Sequence, residues 1–286
     1  MDPQLAKKLE RLERLIREMQ SIVVAFSGGV DSTLLLRVVS LQSGVRHLAV
    51  TADSPTNTEE ELDEARILAR RFGSPHRVVP VDELEVEGYA ENRPDRCYLC
   101  KQTLYPICWR EARRNGFAHV ADGVNRDDLG DYRPGLRAAE ELGVRHPLVE
   151  AGLSKAEVRA LSAYYGLPTA EKPASPCLAS RFPYGTRITR RRLAQVAGAE
   201  RALRGLGYRE LRVRHLGDRA RVEIAAAEFD RLGRPDERRR IEAAVLANGF
   251  DGVEISPEPL RSGSLNDVLG AAARARREPV PDPPES

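Results

Sequence analysis

Three cysteines stand where their thiols could do chemistry. Cys97 and Cys100 form a C-x-x-C pair in the stretch DRCYLCK, which is predicted to be a loop before a helix at 101–115. Cys177 lies in the proline-rich stretch KPASPCLASRFPYGT (172–186). Arg181 follows Cys177 by four residues. A cation lowers the pKa of a nearby thiol, and the thiolate is the form of cysteine that attacks carbon or binds a metal. The pattern therefore favours a reactive Cys177 over a packing role.

The C-x-x-C pair has more than one chemical interpretation. Zinc sites usually take two pairs of ligands, and a second pair with zinc-like spacing is absent from the sequence. A redox dithiol at a helix N-terminus is another interpretation. A third combines Cys97, Cys100 and Cys177 as three thiolates of a [4Fe-4S] cluster that leaves one iron open. The fourth cysteine, Cys108, lies beside Trp109 in a helical stretch and is predicted to be a packing residue.

The heptad SGGVDST (27–33) predicts a phosphate site at a strand-to-helix junction. Backbone N–H groups of a glycine turn curl around an anion, and the dipole of the following helix favours negative charge. We call residues 27–33 the phosphate loop. Its predicted phosphate ligands are Ser27, Gly28, Gly29, Ser32 and Thr33. The loop lacks the lysine of a Walker A motif and differs from that motif in spacing.

These residues need a scaffold, and the hydrophobic pattern predicts alternating strands and helices. Apolar runs predict strands at 21–27, 47–52, 76–82 and 117–123. Helical periods predict helices at 3–20, 31–43, 58–72, 101–115 and 154–166. Strands separated by helices imply right-handed βαβ units, and therefore an α/β fold whose parallel sheet has helices on both faces. Ligands of such a sheet bind beyond the carboxyl ends of its strands, where the phosphate loop begins.

After the proline-rich stretch the pattern changes to a small α+β module. It has predicted helices at 189–206 and 235–248 and predicted strands at 210–216, 220–225 and 252–255. Arg212 and Arg214 alternate on the first of these strands, so their guanidinium groups share one face and could bind a phosphate together. A solvated basic face is the other interpretation. The predicted organisation is a first domain over 1–170, a Cys177 loop over 171–188, a small domain over 189–265 and a disordered tail over 266–286.

The charge balance argues against two classes of function. The chain has 45 Lys+Arg and 43 Asp+Glu, a formal net charge of +2, which is too even for a protein that coats nucleic acid or an anionic membrane. The Arg triplets at 190–192 and 238–240 have no interleaved aromatic residues and are interpreted as solvated helix faces. We therefore expect no nucleic-acid partner and no membrane partner. The absence of an apolar run of ~18 residues and of a signal-peptide pattern predicts a cytoplasmic protein.

The phosphate loop resembles the PP-loop of ATP pyrophosphatases, which split ATP into AMP and pyrophosphate while adenylating a substrate oxygen. With four further motifs, the chain is similar to the LarE family of ATP-dependent sulfur-insertion synthases. Those motifs are GVNRDDLGDYRPG (123–135), PCLASRFPYGT (176–186), LRVRHLGDRARVEI (211–224) and RSGSLN (261–266). The resemblance covers nearly the full chain. It implies a Rossmann-like fold of the adenine nucleotide alpha hydrolase type.

The resemblance also implies a substrate and cofactors. The substrate would be pyridinium-3,5-biscarboxylic acid mononucleotide, a precursor of the nickel-pincer cofactor of lactate racemase. Its carboxylate would be adenylated by ATP with Mg²⁺ and then converted to a thiocarboxylate. The family also suggests a homo-oligomer, a hexamer.

By the same resemblance, Cys177 attacks the acyl-adenylate, and Arg181 and Asp31 complete the catalytic set. In members with a single cysteine, that cysteine gives up its own sulfur and remains as dehydroalanine. In the three-cysteine branch, Cys97, Cys100 and Cys177 hold a [4Fe-4S] cluster that can carry an extra sulfide, and the enzyme turns over. The sequence favours this branch, and the sacrificial route, zinc or a dithiol are the alternatives.

Binding residues follow from the resemblance as well. Adenosine would lie at TADSP (51–55), against Ala52 and Ser54, and Asp31 would lie near Mg²⁺. We call DGVNRDDLGDYRPG (122–135), which also carries Asp127 and Asp131, the acidic loop. It would hold Mg²⁺ or substrate; a solvated loop of helix-capping residues is its other interpretation. The predicted ligands in this loop are Gly123, Asn125 and Asp128. The predicted ligands of the mononucleotide are Ser180, Arg181, Glu200, Arg212, Arg214, Glu223 and Asp230.

Two other classes of function stay open at this point. A tRNA-thiolating enzyme of the PP-loop superfamily would bind RNA with an affinity that falls steeply as salt rises. A non-catalytic nucleotide or iron-sulfur binding module would release no pyrophosphate with any carboxylated substrate.

Overall fold

A four-stranded parallel sheet organises the first half of the chain. The structure is a computed structural model that describes residues 1–130, 133–261 and 265. The strands are β1 (Ser21–Ala25), β2 (Arg46–Asp53), β3 (His76–Pro80) and β4 (His119–Ala121), in the order β3-β2-β1-β4. All five residues of β1 are buried, as expected for a central strand with helices on both faces. The predicted α/β fold with a parallel sheet is confirmed.

Seven helices connect or flank these strands in the described residues. They are α1 (Pro3–Met19), α2 (Val30–Leu41), α3 (Glu59–Arg71), α4 (Arg96–Asn115), α5 (Pro134–Glu141), α6 (Pro147–Glu150) and α7 (Lys155–Tyr164). In α1 the buried residues Leu5, Leu9, Leu12, Ile16 and Met19 recur every three or four positions and form one apolar face. Thr58 and Ser154 begin α3 and α7 with capping boxes, which satisfy backbone N–H groups that the helix cannot.

A smaller sheet follows with its own hydrophobic core. It contains β5 (Leu211–Leu216), β6 (Arg219–Ile224) and β7 (Gly252–Ile255), with β5 antiparallel and β7 parallel to β6. Helices α8 (Arg190–Gly205), α9 (Ala226–Phe229) and α10 (Pro235–Leu246) accompany it. This confirms the α+β character of the module. The domain boundaries at residues 170, 188 and 265 stay predictions.

The segment with Cys177 packs on the core of the smaller sheet. Leu178, Ala179 and Phe182 belong to that core, and so does Tyr89 from the segment between β3 and α4. The segment with Cys177 and the segment that leads into α4 are therefore anchored on the same apolar surface.

One prediction about the cysteines is wrong. Cys97 and Cys100 were expected in a loop before a helix at 101–115, but α4 begins at Arg96 and includes both cysteines in its first turns. Pro94 and Asp95 precede this helix, and such residues are typical of a helix start. Three residues apart on a helix, the two thiols lie near the same face.

Some predictions lie outside the described residues. They concern Asp131 in the acidic loop, residues 262–264 and 266 of the RSGSLN motif, and the tail at 266–286. Within the described part of the chain, no helix is both long enough and apolar enough to cross a membrane.

Candidate active site

The phosphate loop is folded around its own hydroxyl groups. Gly28 has φ of +71°, a left-handed conformation that glycine adopts at little cost. The N–H of Ser27 donates to Ser32 Oγ at 3.3 Å, and the N–H of Gly29 donates to Ser27 Oγ at 3.3 Å. Thr33 Oγ1 is buried and has no hydrogen-bond partner in the described part of the chain. The turn therefore places the hydroxyls of Ser27 and Ser32 at the N-terminus of α2, where a phosphate would bind.

The loop after β4 lies directly against the phosphate loop. A Cβ atom on Gly123 would lie 2.6 Å from the backbone nitrogen of Ser32, so only glycine permits this approach. Asn125 Nδ2 donates to Asp31 Oδ1 at 3.0 Å. Gly123, Asn125 and Asp31, all predicted site residues, are thus brought together.

Asp128 contacts Asn125, which in turn contacts Asp31 of the phosphate loop. Its carboxylate accepts the N–H of Asn125 at 3.1 Å and pairs with Arg133 at 2.7 Å. Burial raises the pKa of Asp128 and outweighs the opposing effect of Arg133. The negative charge of Asp31 also raises the pKa of Asp128, so the two carboxylates face a common region.

Two lysines supply the positive charge that the phosphate loop itself lacks. Lys155 is the first residue of α7, and its ammonium group donates a hydrogen bond to Asp31 Oδ2 at 2.5 Å. Lys172 contacts the carbonyl of Gly28 at 3.4 Å and pairs with Glu64. Sequence reasoning missed both lysines, because nothing in their local pattern marks them as neighbours of a loop more than 120 residues away.

The predicted adenosine residues Ala52 and Ser54 lie at the carboxyl end of β2. Ser54 Oγ donates to the buried Glu83 Oε2 at 2.5 Å, and the carbonyl of Ala52 accepts Asn57 Nδ2 at 2.9 Å. A cavity of about 440 Å³ opens here. It is lined by Asp53, Ser54, Pro55, Pro80, Val81, Asp82 and Arg190.

The segment that carries Cys177 crosses the same edge of the large sheet. We call residues 172–181 the thiol loop. Besides the contact of Lys172 with Gly28, Ser175 Oγ donates to Glu61 Oε1 at 2.8 Å and the N–H of Leu178 donates to the carbonyl of Thr56 at 2.9 Å. The thiol loop therefore begins at the phosphate loop and ends beside the predicted adenosine strand.

The thiols differ in exposure. Cys97 is exposed, Cys100 and Cys177 are half-buried, and Cys108 is fully buried in the core of the large sheet, which confirms its predicted packing role. Cys100 Sγ donates to Glu83 Oε1 at 3.7 Å. Glu83 thus contacts the Cys100 thiol with one oxygen and Ser54 with the other. Sequence reasoning missed Glu83.

The pKa of Cys177 is raised, because burial disfavours the thiolate. Among charged groups, Arg96 opposes this rise most strongly, and Arg181 opposes it less than the negative charge of Cys97 favours it. The prediction that Arg181 lowers the Cys177 pKa thus holds for its contribution but not for the net shift. Burial also raises the pKa of Cys100, and negative charge on Cys177 and Cys97 adds to that rise. Cys100 and Cys177 also pack against the same hydrophobic core, that of the smaller sheet.

Arg181 is committed to a buried ion pair. Its Nε and Nη2 donate to the two oxygens of Glu200 at 2.8 and 3.1 Å, and both side chains are almost fully buried. Its Nη1 donates to the carbonyl of Pro176 at 2.6 Å and to Ser180 Oγ at 3.0 Å. Arg181 consequently fixes the shape of the thiol loop.

The two arginines of β5 differ in their partners. Arg214 pairs with Glu223 at 2.9 Å and donates to the carbonyl of Ser180 at 2.8 Å. Arg212 is buried, and within the described residues its guanidinium has no hydrogen bond or ion pair. Burial lowers its pKa, and the positive charges of Arg214 and Arg181 lower it further. Arg212 is therefore a buried cation that an anionic group would stabilise.

Six of the seven predicted mononucleotide ligands lie in this network, and one does not. The six are Ser180, Arg181, Glu200, Arg212, Arg214 and Glu223. Asp230 is exposed, and no hydrogen bond or ion pair in the described ranges joins it to them.

No group of three or more His, Cys, Asp or Glu side chains among the described residues is arranged to hold a single metal ion. In a [4Fe-4S] cluster each thiolate binds a different iron, so its ligands do not share one ion.

Comparison with known proteins finds one matching family model and three similar proteins. The asparagine synthase family model matches residues 10–107. The chain is 40% identical over 273 residues to pyridinium-3,5-bisthiocarboxylic acid mononucleotide synthase of Lactiplantibacillus plantarum, covering 95% of this chain and 98% of that protein. It is 42% identical to an uncharacterised protein of Synechocystis, over 93% and 99% of the two chains. It is also 31% identical to the tRNA-specific 2-thiouridylase MnmA of Caulobacter vibrioides, over 91% and 82%.

Proposed function

The chain belongs to the LarE family of pyridinium-3,5-bisthiocarboxylic acid mononucleotide synthases, and from this membership we propose its reaction. It is an ATP-dependent sulfurtransferase with a PP-loop. The proposed substrate is pyridinium-3,5-biscarboxylic acid mononucleotide. A carboxylate oxygen attacks the α-phosphorus of ATP and pyrophosphate leaves; a sulfur nucleophile then attacks the acyl carbon and AMP leaves, which gives the thiocarboxylate.

The observation that supports this reaction best is the course of the thiol loop. Lys172 contacts Gly28 of the phosphate loop, and Cys177 follows five residues later. Five residues span at most about 18 Å even when extended. The short chain from Lys172 to Cys177, together with the Lys172 side chain, therefore limits how far the Cys177 sulfur can lie from an acyl group activated at the phosphate loop.

Charged side chains of the protein are placed where they could bind the phosphates of ATP and the phosphate of the mononucleotide. The phosphate loop and Lys155 would bind the β- and γ-phosphates of ATP, with the ammonium aimed by Asp31. Arg212 would bind the phosphate of the mononucleotide, since its guanidinium is buried without a partner in the described residues. Asp31 and Asp128 suit Mg²⁺, which commonly binds one or two carboxylates together with substrate phosphates.

The residues also suit an iron-sulfur cluster. Cys97, Cys100 and Cys177 would hold it, because Cys97 and Cys100 lie three residues apart in the first turns of α4 and Cys100 and Cys177 pack against the same hydrophobic core. When bound, such a [4Fe-4S] cluster with an extra sulfide would supply the inserted sulfur. The sacrificial alternative uses the sulfur of Cys177 itself and leaves dehydroalanine.

Cys177→Ala is the test of the proposed reaction. We expect the variant to lose thiocarboxylate formation entirely while it still releases pyrophosphate from ATP and the mononucleotide, because adenylation precedes sulfur attack. Pyrophosphate and thiocarboxylate would be measured separately on the full chain. Cys108→Ala is the matched control and should keep both steps. Wild-type protein that releases no pyrophosphate with this substrate would refute the proposal.

Iron and sulfide analysis under anaerobic conditions, with protein mass before and after turnover, distinguishes the two sulfur sources. Unchanged mass with bound iron supports the cluster. Loss of the Cys177 sulfur supports the sacrificial route.

A tRNA thiolase is the second candidate, because the 2-thiouridylase of Caulobacter vibrioides is a relative. The net charge of +2 argues against it. Retention on RNA that weakens steeply with salt would support it. A hexameric assembly and a cytoplasmic location stay predictions.

A further inference from the structure

Arg96 is a buried cation without a carboxylate partner among the residues that the structure describes. Its side chain, at the first position of α4, is 4% exposed. Its Nη1 donates to Asn92 Oδ1 at 2.5 Å, while its Nε is buried and has no partner in the part of the chain that the structure describes. No ion pair involving Arg96 occurs among those residues. A buried charge without a counter-charge is costly, so a fold that keeps one usually presents it to an anionic ligand.

Neighbouring residues place Arg96 beside the thiol loop. Asn92 Nδ2 donates to the carbonyls of Phe182 and Pro183 at 3.1 and 2.8 Å, and the Arg96 guanidinium lies over the Tyr184 ring at 5.5 Å. These contacts hold the Arg96 guanidinium against residues 182–184, which follow the thiol loop. Among the cations, Arg96 also contributes most to lowering the pKa of Cys177.

The other arginine near this thiol is not available to a ligand. Both oxygens of Glu200 already neutralise Arg181, and its remaining donors hold Pro176 and Ser180. A guanidinium carries five N–H donors, and the only side-chain acceptor of Arg96 in the described ranges is Asn92. Of Arg181 and Arg96, only Arg96 keeps unoccupied donors among the described residues.

We infer that Arg96 binds a carboxylate of the substrate and holds the acyl group against the sulfur at Cys177. This inference rests on the proposed function, whose substrate carries two carboxylates on one ring. A guanidinium binds a carboxylate with charge-assisted hydrogen bonds, which are stronger than neutral ones. Arg96 would thus recognise the acid that is to be thiolated, in addition to the recognition of its phosphate by Arg212.

Alkylation of Cys177 in the full-length, iron-free chain tests the inference directly. Iodoacetate carries a carboxylate and iodoacetamide does not, but both react with the thiolate, so the ratio of their rates does not depend on the ionisation of Cys177. The rates would be followed by mass spectrometry of the Cys177 peptide. We expect Arg96→Gln to lower the iodoacetate-to-iodoacetamide ratio about tenfold, the effect of one charge-assisted hydrogen bond. An unchanged ratio would overturn the inference.

Arg93→Gln is the matched control, because Arg93 lies three residues earlier, is exposed and pairs with Asp95 at 3.1 Å. Its ratio should equal that of the wild type, and an equal fall in both variants would show a general charge effect and refute a specific site. Arg96→Lys keeps the charge and should keep part of the preference.

A second measurement needs no variant. In the wild type, pyridine-3,5-dicarboxylate should protect Cys177 from iodoacetamide, whereas pyridine-3,5-dicarboxamide should not. Equal protection, or none, would contradict the inference. Neither measurement uses ATP, so a failure here is separable from a failure of pyrophosphate release, which tests the proposed function.

Discussion

The phosphate loop and the thiol loop lie at the same edge of the large sheet, but different interactions hold them. Within the phosphate loop, Ser27, Gly29 and Ser32 bond to one another across at most five residues. The thiol loop depends on distant partners: Arg181 binds Glu200, and Ser175 reaches Glu61, which lies 114 residues earlier. A site made by contiguous backbone, such as the phosphate loop, depends on its backbone conformation and on neighbouring residues that are small enough to pack against it. A site assembled from distant segments depends on how its buried charges are paired.

Removal of the Glu200 carboxylate should have the largest effect on stability. Glu200 is fully buried, and it accepts from Arg181 and from the N–H of Val213 at 3.1 Å. Glu200→Ala leaves the Arg181 charge buried and unpaired, and we expect a loss of about 3–5 kcal/mol in the free energy of unfolding. Urea titration would measure it.

The control for Glu200→Ala is the exposed pair of Glu60 and Arg201, whose atoms are 2.6 Å apart. Glu60→Ala should cost no more than about 1 kcal/mol, since solvent screens an exposed pair. Equal losses in the two variants would contradict the idea that the thiol loop depends on buried charge.

Gly123→Ala tests whether close backbone packing shapes the phosphate loop. The new Cβ would lie 2.6 Å from Ser32 N, and the backbone would have to move. We expect a destabilisation of about 1–3 kcal/mol together with weaker ATP binding. Gly205→Ala, where a Cβ meets nothing within 4 Å, should be neutral or slightly stabilising. Wild-type ATP affinity in Gly123→Ala would show that this close contact does not shape the phosphate loop.

Lys155→Met would show how far the phosphate loop depends on a distant side chain. We expect ATP and pyrophosphate affinities to fall about 10- to 100-fold, because one charge-assisted contact is lost, while AMP affinity changes little. Equilibrium dialysis of the three ligands would measure this. Lys8→Met is matched, since Lys8 pairs with Glu157 of the same helix at 2.7 Å but lies away from the loop. Equal losses for ATP and AMP would indicate a purely structural role for Lys155.

The smallest effect is expected from the buried network behind the β4 loop. His146 Nδ1 bonds to Asp122 Oδ1 at 2.7 Å, and Tyr105 donates to Asp122 Oδ2 at 2.5 Å. Burial opposes charge on His146, but Asp122 outweighs it and raises the His146 pKa above its usual 6.5. The stabilisation from this pair is therefore complete below pH 6.5 and is lost as pH rises through the higher, folded-state pKa.

His146→Gln should consequently lower the Tm more at pH 6 than at pH 9. A loss independent of pH would mean that the His146 charge does not contribute. Thermal unfolding at both pH values decides between the two.

The sequence by itself determined the fold class and the phosphate loop. Hydrophobic periodicity is local, so strands such as β1 and helices such as α1 could be predicted from their own residues. The glycines and hydroxyls of residues 27–33 are likewise adjacent in the chain. The start of α4 was mispredicted because a polar stretch before a C-x-x-C pair resembles a loop, although Pro94 and Asp95 signalled a helix.

Only the tertiary structure decided which charges meet. Lys155 and Asp31 are 124 residues apart, and no local pattern connects them. Arg181 and Arg96 are both close to Cys177, but Glu200 neutralises the first and no carboxylate pairs with the second in the described residues. Electrostatic interactions depend on distance in space and on burial, and a linear sequence specifies neither until the chain has folded.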